Sequence, residues 1–181
     1  MSESDILLTI AEVAVAFAGF ASLVGILGHR TSADDPRVIG LRMRGMLLSS
    51  LIVIAFSIFP ILLDLYGASS DFTWIASSLV LLAASGSYYV WFVSALQALA
   101  RAEIPTSRFQ RLVVIPTLMV VAGTLAAFLI ANLFLATPAV YMTALALLLF
   151  QSGFAFCLIV FSYLPRVEPT EAGLGADAEE E

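Results

Sequence analysis

Five long apolar runs dominate the sequence and favour a chain that is embedded in a membrane. They cover approximately residues 6–28, 45–66, 72–100, 112–135 and 138–164. Each run can cross a hydrocarbon core about 30 Å thick as an α-helix, which rises about 1.5 Å per residue. Hydrophobic residues make up 61% of the 181 residues and charged residues only 12%, a balance that a water-soluble domain does not reach. We therefore predict an all-α, polytopic integral membrane protein with five transmembrane helices in a bundle.

The chain divides into one membrane domain, residues 1–165, and a short tail, residues 166–181. Six of the fourteen acidic residues lie in this tail, which explains most of the net charge of −6. The tail is rich in proline, glycine and small residues and has no apolar periodicity, so we predict that it is disordered. The net charge therefore describes the tail and not a binding face.

The arginines predict the orientation of the helices. They lie only in the first and third loops and after the fifth run: Arg30, Arg37, Arg42, Arg44, Arg101, Arg108, Arg111 and Arg166. Because positive residues stay on the cytoplasmic side, the N-terminus is predicted outside and the C-terminus, with its tail, in the cytoplasm. The acidic start of the chain differs from a cleavable signal peptide. Arginine without lysine, together with abundant alanine, is compatible with a GC-rich bacterial genome and hence with a bacterial inner membrane.

Two local patterns refine the boundaries of the helices. Asp35 followed by Pro36 is a helix-start signal, so a short surface helix is expected from Pro36 into the second span. Aromatic side chains are enriched at membrane interfaces, and four are predicted at the outer one: Tyr66, Phe72, Trp74 and Tyr141.

Glu12 is an acidic residue inside the first apolar run. A carboxylate in hydrocarbon costs several kcal/mol unless it is protonated, hydrated or paired. It shares a helix face with Ala16 and Gly19, so we expect it to point toward packed protein. Three interpretations stay open: a protonated structural hydrogen bond, the handling of a cation or proton, or a helix that begins after Glu12. The small residues of this run predict close helix packing, at a central position or a subunit interface: Ala18, Gly19, Ser22 and Gly25.

The second and fourth runs carry polar seams. In the second run Ser50, Ser57 and Asp64 recur every seven residues and share a face. Pro60 lies on the same face and, by removing one backbone hydrogen bond, frees the carbonyl near Phe56. In the fourth run Thr117, Thr124 and Asn132 repeat the pattern.

The polar residues suggest a candidate site. Measured from the cytoplasmic ends, Glu12, Asp64 and Asn132 all fall in the outer half of the membrane. Two acids and an amide without a base predict a bound cation or a shared proton. A path inward would be lined by Ser57, Ser85, Thr124 and Gln151. The alternatives are solvation of Asp64 at the interface and, for the hydroxyls, ordinary hydrogen bonds between packed helices.

The second and third runs resemble the fourth and fifth at an offset of about 68 residues, which suggests a duplicated helical hairpin. Asp64-Leu65-Tyr66 then aligns with Asn132-Leu133-Phe134. The alternative is that apolar helices resemble one another by composition.

Several classes of function are disfavoured. The chain has one histidine, His29, and one cysteine, Cys157, so neither bis-histidine haem ligation nor a cysteine–histidine zinc site can form. The serines lack an intramembrane histidine to activate them, and no glycine-rich phosphate loop is present. We therefore expect no enzymatic activity, no metal, no cofactor and no nucleic-acid partner.

Two functions remain. The first is a small oligomeric channel or transporter that handles a cation or proton through the outer acidic site. Because five helices enclose little space, a pore between several protomers is expected, and hence a homo-oligomer. The second is a non-transporting membrane subunit or scaffold that binds a partner membrane protein.

Overall fold

The computed structural model describes residues 2–27, 35–102 and 115–163, and within them the chain is entirely helical. The five helices are α1 (Glu3–Leu27), α2 (Pro36–Leu65), α3 (Ser70–Arg101), α4 (Ile115–Leu135) and α5 (Pro138–Tyr163). All five are long and apolar enough to cross a membrane, as expected of a multi-pass membrane protein. The predicted tail, and His29 with the loop around it, lie outside the described residues.

The helices form an antiparallel bundle with α2 and α5 at its centre. α2 contacts α1, α3 and α5, while α4 packs against α3 and α5, and α1 packs against α2 and α5. The main core contains large apolar side chains from all five helices, among them Leu7, Val53, Leu81, Leu129 and Leu148. Since many large apolar side chains also lie on the surface, the outer face of the bundle suits a lipid environment.

α2 is one continuous helix of 30 residues that begins at Pro36. The Asp35 side chain caps it by accepting a hydrogen bond of 2.7 Å from the backbone N–H of Arg37. The predicted helix start is therefore confirmed. The surface helix expected from Pro36 is the first part of α2, which continues through residues 37–44 into the apolar run without a break.

Tight turns connect α2 to α3 and α4 to α5. After α2, Gly67 adopts a φ of +77°, and its N–H bonds the carbonyl of Asp64 at 2.9 Å. A glycine takes this left-handed conformation without strain. After α4, the corresponding left-handed residue is Ala136, with a φ of 50°. The Asn132 side chain supports this second turn, since its Oδ1 accepts a hydrogen bond from the backbone N–H of Thr137.

Two of the four predicted interface aromatics are core residues. Tyr66 and Phe72 are exposed, whereas Trp74 is 6% and Tyr141 0% exposed. The Trp74 and Tyr141 rings contact each other with centroids 5.7 Å apart. Both rings therefore turn toward the centre of the bundle, and their predicted depth at the outer interface stays a prediction.

Apart from Glu12 within α1 and the cap residue Asp35, the described acidic residues lie at one end of the bundle and the described arginines at the other. The acidic end carries Glu3, Asp5, Asp64 and Asp71, at the starts of α1 and α3 and the end of α2. The arginine end carries Arg37, Arg42, Arg44 and Arg101.

Candidate functional site: an acidic cleft and a buried hydroxyl seam

A cleft of about 320 Å³ opens at the acidic end between α1, α2 and α3. The start of α1 contributes Glu3 and Ser4, the end of α2 contributes Asp64, and the start of α3 contributes Ser70 and Thr73. Pro60 and Trp74 form part of its apolar wall. The cleft thus combines two carboxylates with hydroxyl groups, a set of oxygen donors that suits a proton or a hard cation.

Of the three predicted site residues, only Asp64 lines this cleft. Glu12 is exposed on the surface of α1, as are Ala16 and Gly19 on the same face. The prediction that Glu12 points toward packed protein is therefore wrong for the single chain. Sequence reasoning also missed Glu3. Its only signal was an acidic residue at the start of α1, which the antiparallel pairing of α1 and α2 brings next to Asp64.

Asn132 is a structural residue that fastens the end of α4. It is 0% exposed, and its Nδ2 donates to the Ser78 hydroxyl on α3 at 2.8 Å. Its Oδ1 accepts from the backbone N–H of Thr137 at 2.9 Å. These bonds hold the turn that contains the left-handed Ala136. Because both ends of the amide have protein partners, Asn132 is not a ligand of the acidic cleft.

The carbonyl that Pro60 frees is occupied by a tyrosine. Pro60 has no N–H for the carbonyl of Phe56, four residues earlier, and the Tyr141 hydroxyl donates to that carbonyl at 2.7 Å. The freed carbonyl was correctly predicted from the proline. The tyrosine that binds this carbonyl was not predicted, because Tyr141 lies 85 residues further along the chain. This oxygen is consequently not available as a cation ligand.

Four buried hydroxyls have no hydrogen-bond partner among the described residues. They are Ser50 and Ser57 on α2 and Thr73 and Ser77 on α3. The three serines are 0% exposed and Thr73 is 4% exposed. Buried polar groups nearly always have a protein or water partner, so four in one helix pair mark a functional candidate. We call these four residues the hydroxyl seam.

A hydrogen-bonded cluster lies nearer the arginine end. The hydroxyl of Tyr89 donates to Oε1 of Gln151, whose Nε2 donates to the Tyr88 hydroxyl at 3.3 Å. Tyr88 in turn donates to the carbonyl of Gly45 at 3.3 Å. The neighbouring hydroxyls of Ser49 and Ser152 bond each other at 2.7 Å. The cluster connects α2, α3 and α5 through polar groups.

A small cavity of about 40 Å³ adjoins this cluster. Ser49, Tyr88, Gln151 and Arg42 contribute its polar lining, and the remaining walls are apolar side chains of α2, α3, α4 and α5. Such a volume accommodates about two or three water molecules. Polar sites therefore exist at both ends of the bundle.

The four predicted path residues occupy different settings. Ser57 belongs to the hydroxyl seam and Gln151 to the tyrosine cluster. Ser85 is buried, but its hydroxyl bonds the carbonyl of Leu82 at 3.2 Å within its own helix. Thr124 is half-buried on α4. Of the four, Ser57 and Gln151 therefore belong to polar groups shared between helices.

The predicted packing residues of α1 lie mainly away from the core. Ala18 is half-buried, and Gly19 and Ser22 are exposed. The Ser22 hydroxyl donates a hydrogen bond of 3.0 Å to the carbonyl of Ala18 in its own helix. Gly25 belongs to α1, but its burial lies outside what the structure describes. The small residues that do pack inside are Ala11, Ala14 and Ala21.

Among the described residues, no group of three histidine, cysteine, aspartate or glutamate side chains could hold a metal ion. Comparison of the chain with protein-family models, curated proteins and solved structures gives no match.

Proposed function

We propose that the protein is a small oligomeric membrane channel or transporter that carries a proton or a small cation, and that Asp64 receives it. The observation that carries this proposal is the acidic cleft, where Asp64 and Glu3 lie beside the buried, unpartnered hydroxyl of Thr73. A carboxylate at a hydrated opening attracts cations, and adjacent hydroxyls lead from it into the bundle.

The orientation follows from the arginine rule and is part of the proposal. Arg37, Arg42, Arg44 and Arg101 share one end of the bundle, which the rule assigns to the cytoplasm. The acidic cleft then faces outward, toward the source of protons in a bacterial inner membrane. Glu12 and Asn132 no longer belong to the site in this proposal, since the first lies on an exposed face and the second is a helix cap.

The proposed duplication of the hairpins α2–α3 and α4–α5 has one supporting feature. α2 and α4 both end in a left-handed residue, Gly67 and Ala136, and these positions differ by one residue from the sequence alignment. In this proposal Asp64 and Asn132 are equivalent positions that have diverged into an ion site and a structural cap.

Replacement of Asp64 by asparagine is expected to reduce flux about tenfold or more, because the neutral amide neither holds a proton nor attracts a cation. The measurement is proton and K⁺ flux into liposomes that contain purified protein of known orientation. Asp71→Asn is the matched control, since Asp71 lies at the same end but does not line the cleft. Absence of flux from folded wild-type protein would refute the transport proposal, and equal effects of both variants would refute the role of Asp64.

The second candidate function is that of a non-transporting subunit or scaffold, and the exposed face of α1 favours it. Glu12, Ala16 and Gly19 follow one another at intervals of four and three residues on this face, and all are exposed. That spacing suits a second helix packed along α1 at a shallow angle. A carboxyl group in hydrocarbon gains a polar partner when another helix covers it.

Gly19→Leu is expected to weaken assembly about tenfold, because the larger side chain separates the two helices. A Cβ atom at Gly19 meets nothing within 4 Å in its own chain, so the fold should persist. Assembly is measured by native mass spectrometry in nanodiscs, with Val90→Leu on the exposed face of α3 as the control. A scaffold predicts loss of a co-purifying protein without a change in permeability. An unchanged complex would exclude this face as the interface.

A further inference from the structure

A groove of about 520 Å³ lies between α2 and α3 at the arginine end. α2 contributes Arg37, Gly40 and Arg44 to its lining, and α3 contributes Trp91 and three alanines, among them Ala98. Its volume falls within the range of about 300–1,000 Å³ that is typical of ligand pockets. The groove and the acidic cleft have no described lining residue in common. We call it the arginine groove.

The groove is open because small residues line both helices. A Cβ atom at Gly40 would meet nothing within 4 Å, whereas one at Gly45 would lie 2.9 Å from the Phe92 ring of α3. The two helices therefore touch at Gly45 and leave space beside Gly40. On α3, Ala95 and Ala98 are three residues apart on one face and add little bulk to the opposite wall. The space between the helices is thus large enough for part of another molecule.

Arg37 and Arg44 give the arginine groove a positive charge. They are seven residues apart, so they lie on one face of α2 with about 10 Å of helix rise between them. Both side chains are exposed. No described carboxylate lines the groove, and Asp35, the nearest one to Arg37 along the chain, bonds the backbone N–H of Arg37. Guanidinium groups bind phosphate through paired N–H donors, so this charge suits a ligand that carries a phosphate.

Trp91 gives the same groove an apolar wall with one hydrogen-bond donor. The indole is 37% exposed, and its ring centroid lies 6.4 Å from that of Tyr88 and 6.3 Å from that of Phe92. Trp91 is ten residues from the end of α3 at Arg101, which places it about 15 Å further into the bundle. Tryptophan is enriched where headgroups meet acyl chains, because its ring is apolar and its N–H is polar.

We propose that the arginine groove binds an anionic phospholipid, with the phosphate at Arg37 and Arg44 and an acyl chain beside Trp91. Basic pockets between transmembrane helices bind anionic headgroups in this way. A free phosphate ion would use the arginines alone and leave the apolar wall uncovered. Phosphatidylcholine carries a quaternary ammonium that two neighbouring arginines repel. The inference is independent of the proposed transport function and requires only that the bundle lies in a bilayer.

The first test measures which lipid stays bound to the purified protein. Native mass spectrometry compares phosphatidylglycerol with phosphatidylcholine of the same acyl chains, and wild type should bind phosphatidylglycerol about tenfold more tightly. Arg37→Gln with Arg44→Gln should remove this preference. Arg101→Gln is the control, because Arg101 is exposed at the same end but does not line the groove. No preference in wild type, or an equal loss in the control, would overturn the inference.

A substitution that fills the groove distinguishes a lipid site from general attraction between charges. Gly40→Leu adds bulk inside the groove without changing the charge, and should weaken phosphatidylglycerol binding about tenfold. Gly123→Leu on α4 is the matched control, since a Cβ atom there also meets nothing within 4 Å and the residue does not line the groove. Unchanged binding by Gly40→Leu would overturn the inference. Displacement of the lipid by inorganic phosphate, but not by chloride of the same ionic strength, would also overturn it, because the ligand would then be the free anion.

The second test locates the lipid in an intact bilayer. The chain has two tryptophans, so Trp74→Phe leaves Trp91 as the single fluorophore of this type. Phosphatidylglycerol brominated on its acyl chains should quench Trp91 more strongly than brominated phosphatidylcholine at the same mole fraction. Arg37→Gln with Arg44→Gln in this background should make quenching by the two lipids equal. Equal quenching without the arginine substitutions would contradict the proposed site, whatever flux the protein supports.

Discussion

Asn132→Ala is expected to lower the free energy of unfolding by about 1 to 3 kcal/mol, since it leaves buried polar groups without partners. The substitution removes the acceptor for the backbone N–H of Thr137 and the donor to the Ser78 hydroxyl. It also removes the support of the turn at Ala136, whose left-handed conformation costs about 1 to 3 kcal/mol in a residue other than glycine. The measurement is equilibrium unfolding in bicelles.

A double-mutant cycle identifies the bond across the helices. Asn132→Ala and Ser78→Ala should couple by about 0.5 to 1.7 kcal/mol, because each removes one partner of the same bond. Ser94→Ala is the control, since its hydroxyl is exposed and bonds only the carbonyl of Val90. A strictly additive cycle with a small effect of Asn132→Ala would mean that this amide contributes nothing to stability.

The helices were largely predictable because a chain suited to crossing a membrane follows a simple rule. Every backbone polar group must be satisfied within the segment, so an apolar run of sufficient length becomes a helix. All five runs are confirmed as helices. The start of α2 was also predictable, because Asp35 and Pro36 act locally through the cap and the first turn.

The direction in which side chains point was less predictable. Large apolar residues occur on every side of these helices, so their pattern does not distinguish a core position from a lipid-facing one. The burial of Trp74 and Tyr141 in the core could therefore not be predicted from the sequence. For the same reason Glu12 was assigned to a packed face. Small neighbours indicate where a helix can approach, and they do not reveal whether the partner belongs to the same chain.

The candidate site was predictable only in part. Asp64 and Ser57 were found because their seven-residue spacing is local to α2. Glu3 and Thr73 come to the same cleft from two other helices, and no spacing in the sequence relates them. Asn132 was misassigned because depth alone was compared, whereas its actual role depends on Ser78 and Thr137 across a turn and a helix contact.

The tyrosine cluster requires close approach of α2 to α3 at Gly45. A Cβ atom at this position would lie 2.9 Å from Cε2 of Phe92 and 3.5 Å from the Tyr88 hydroxyl. The absence of a side chain thus lets Tyr88 reach the carbonyl of Gly45. Tyr88 can then accept a hydrogen bond from Gln151 while donating to the helix backbone. Both the close packing of α2 on α3 and the hydrogen bonds of the tyrosine cluster therefore depend on Gly45.

Gly45→Leu should destabilise the protein by about 3 kcal/mol, because the new side chain displaces Phe92 and separates Tyr88 from α2. Gly40→Leu is the matched control on the same helix, where a Cβ atom meets nothing within 4 Å. The control should gain up to about 1 kcal/mol, since leucine is the better helix former. The free energies of unfolding of the two leucine variants are compared in bicelles. Phe92→Ala, combined with Gly45→Leu, should restore part of the lost stability, because it removes the ring that the new side chain meets. Equal stabilities of the two leucine variants would show that α2 and α3 do not approach closely at Gly45, and the tyrosine cluster would lose its geometric basis.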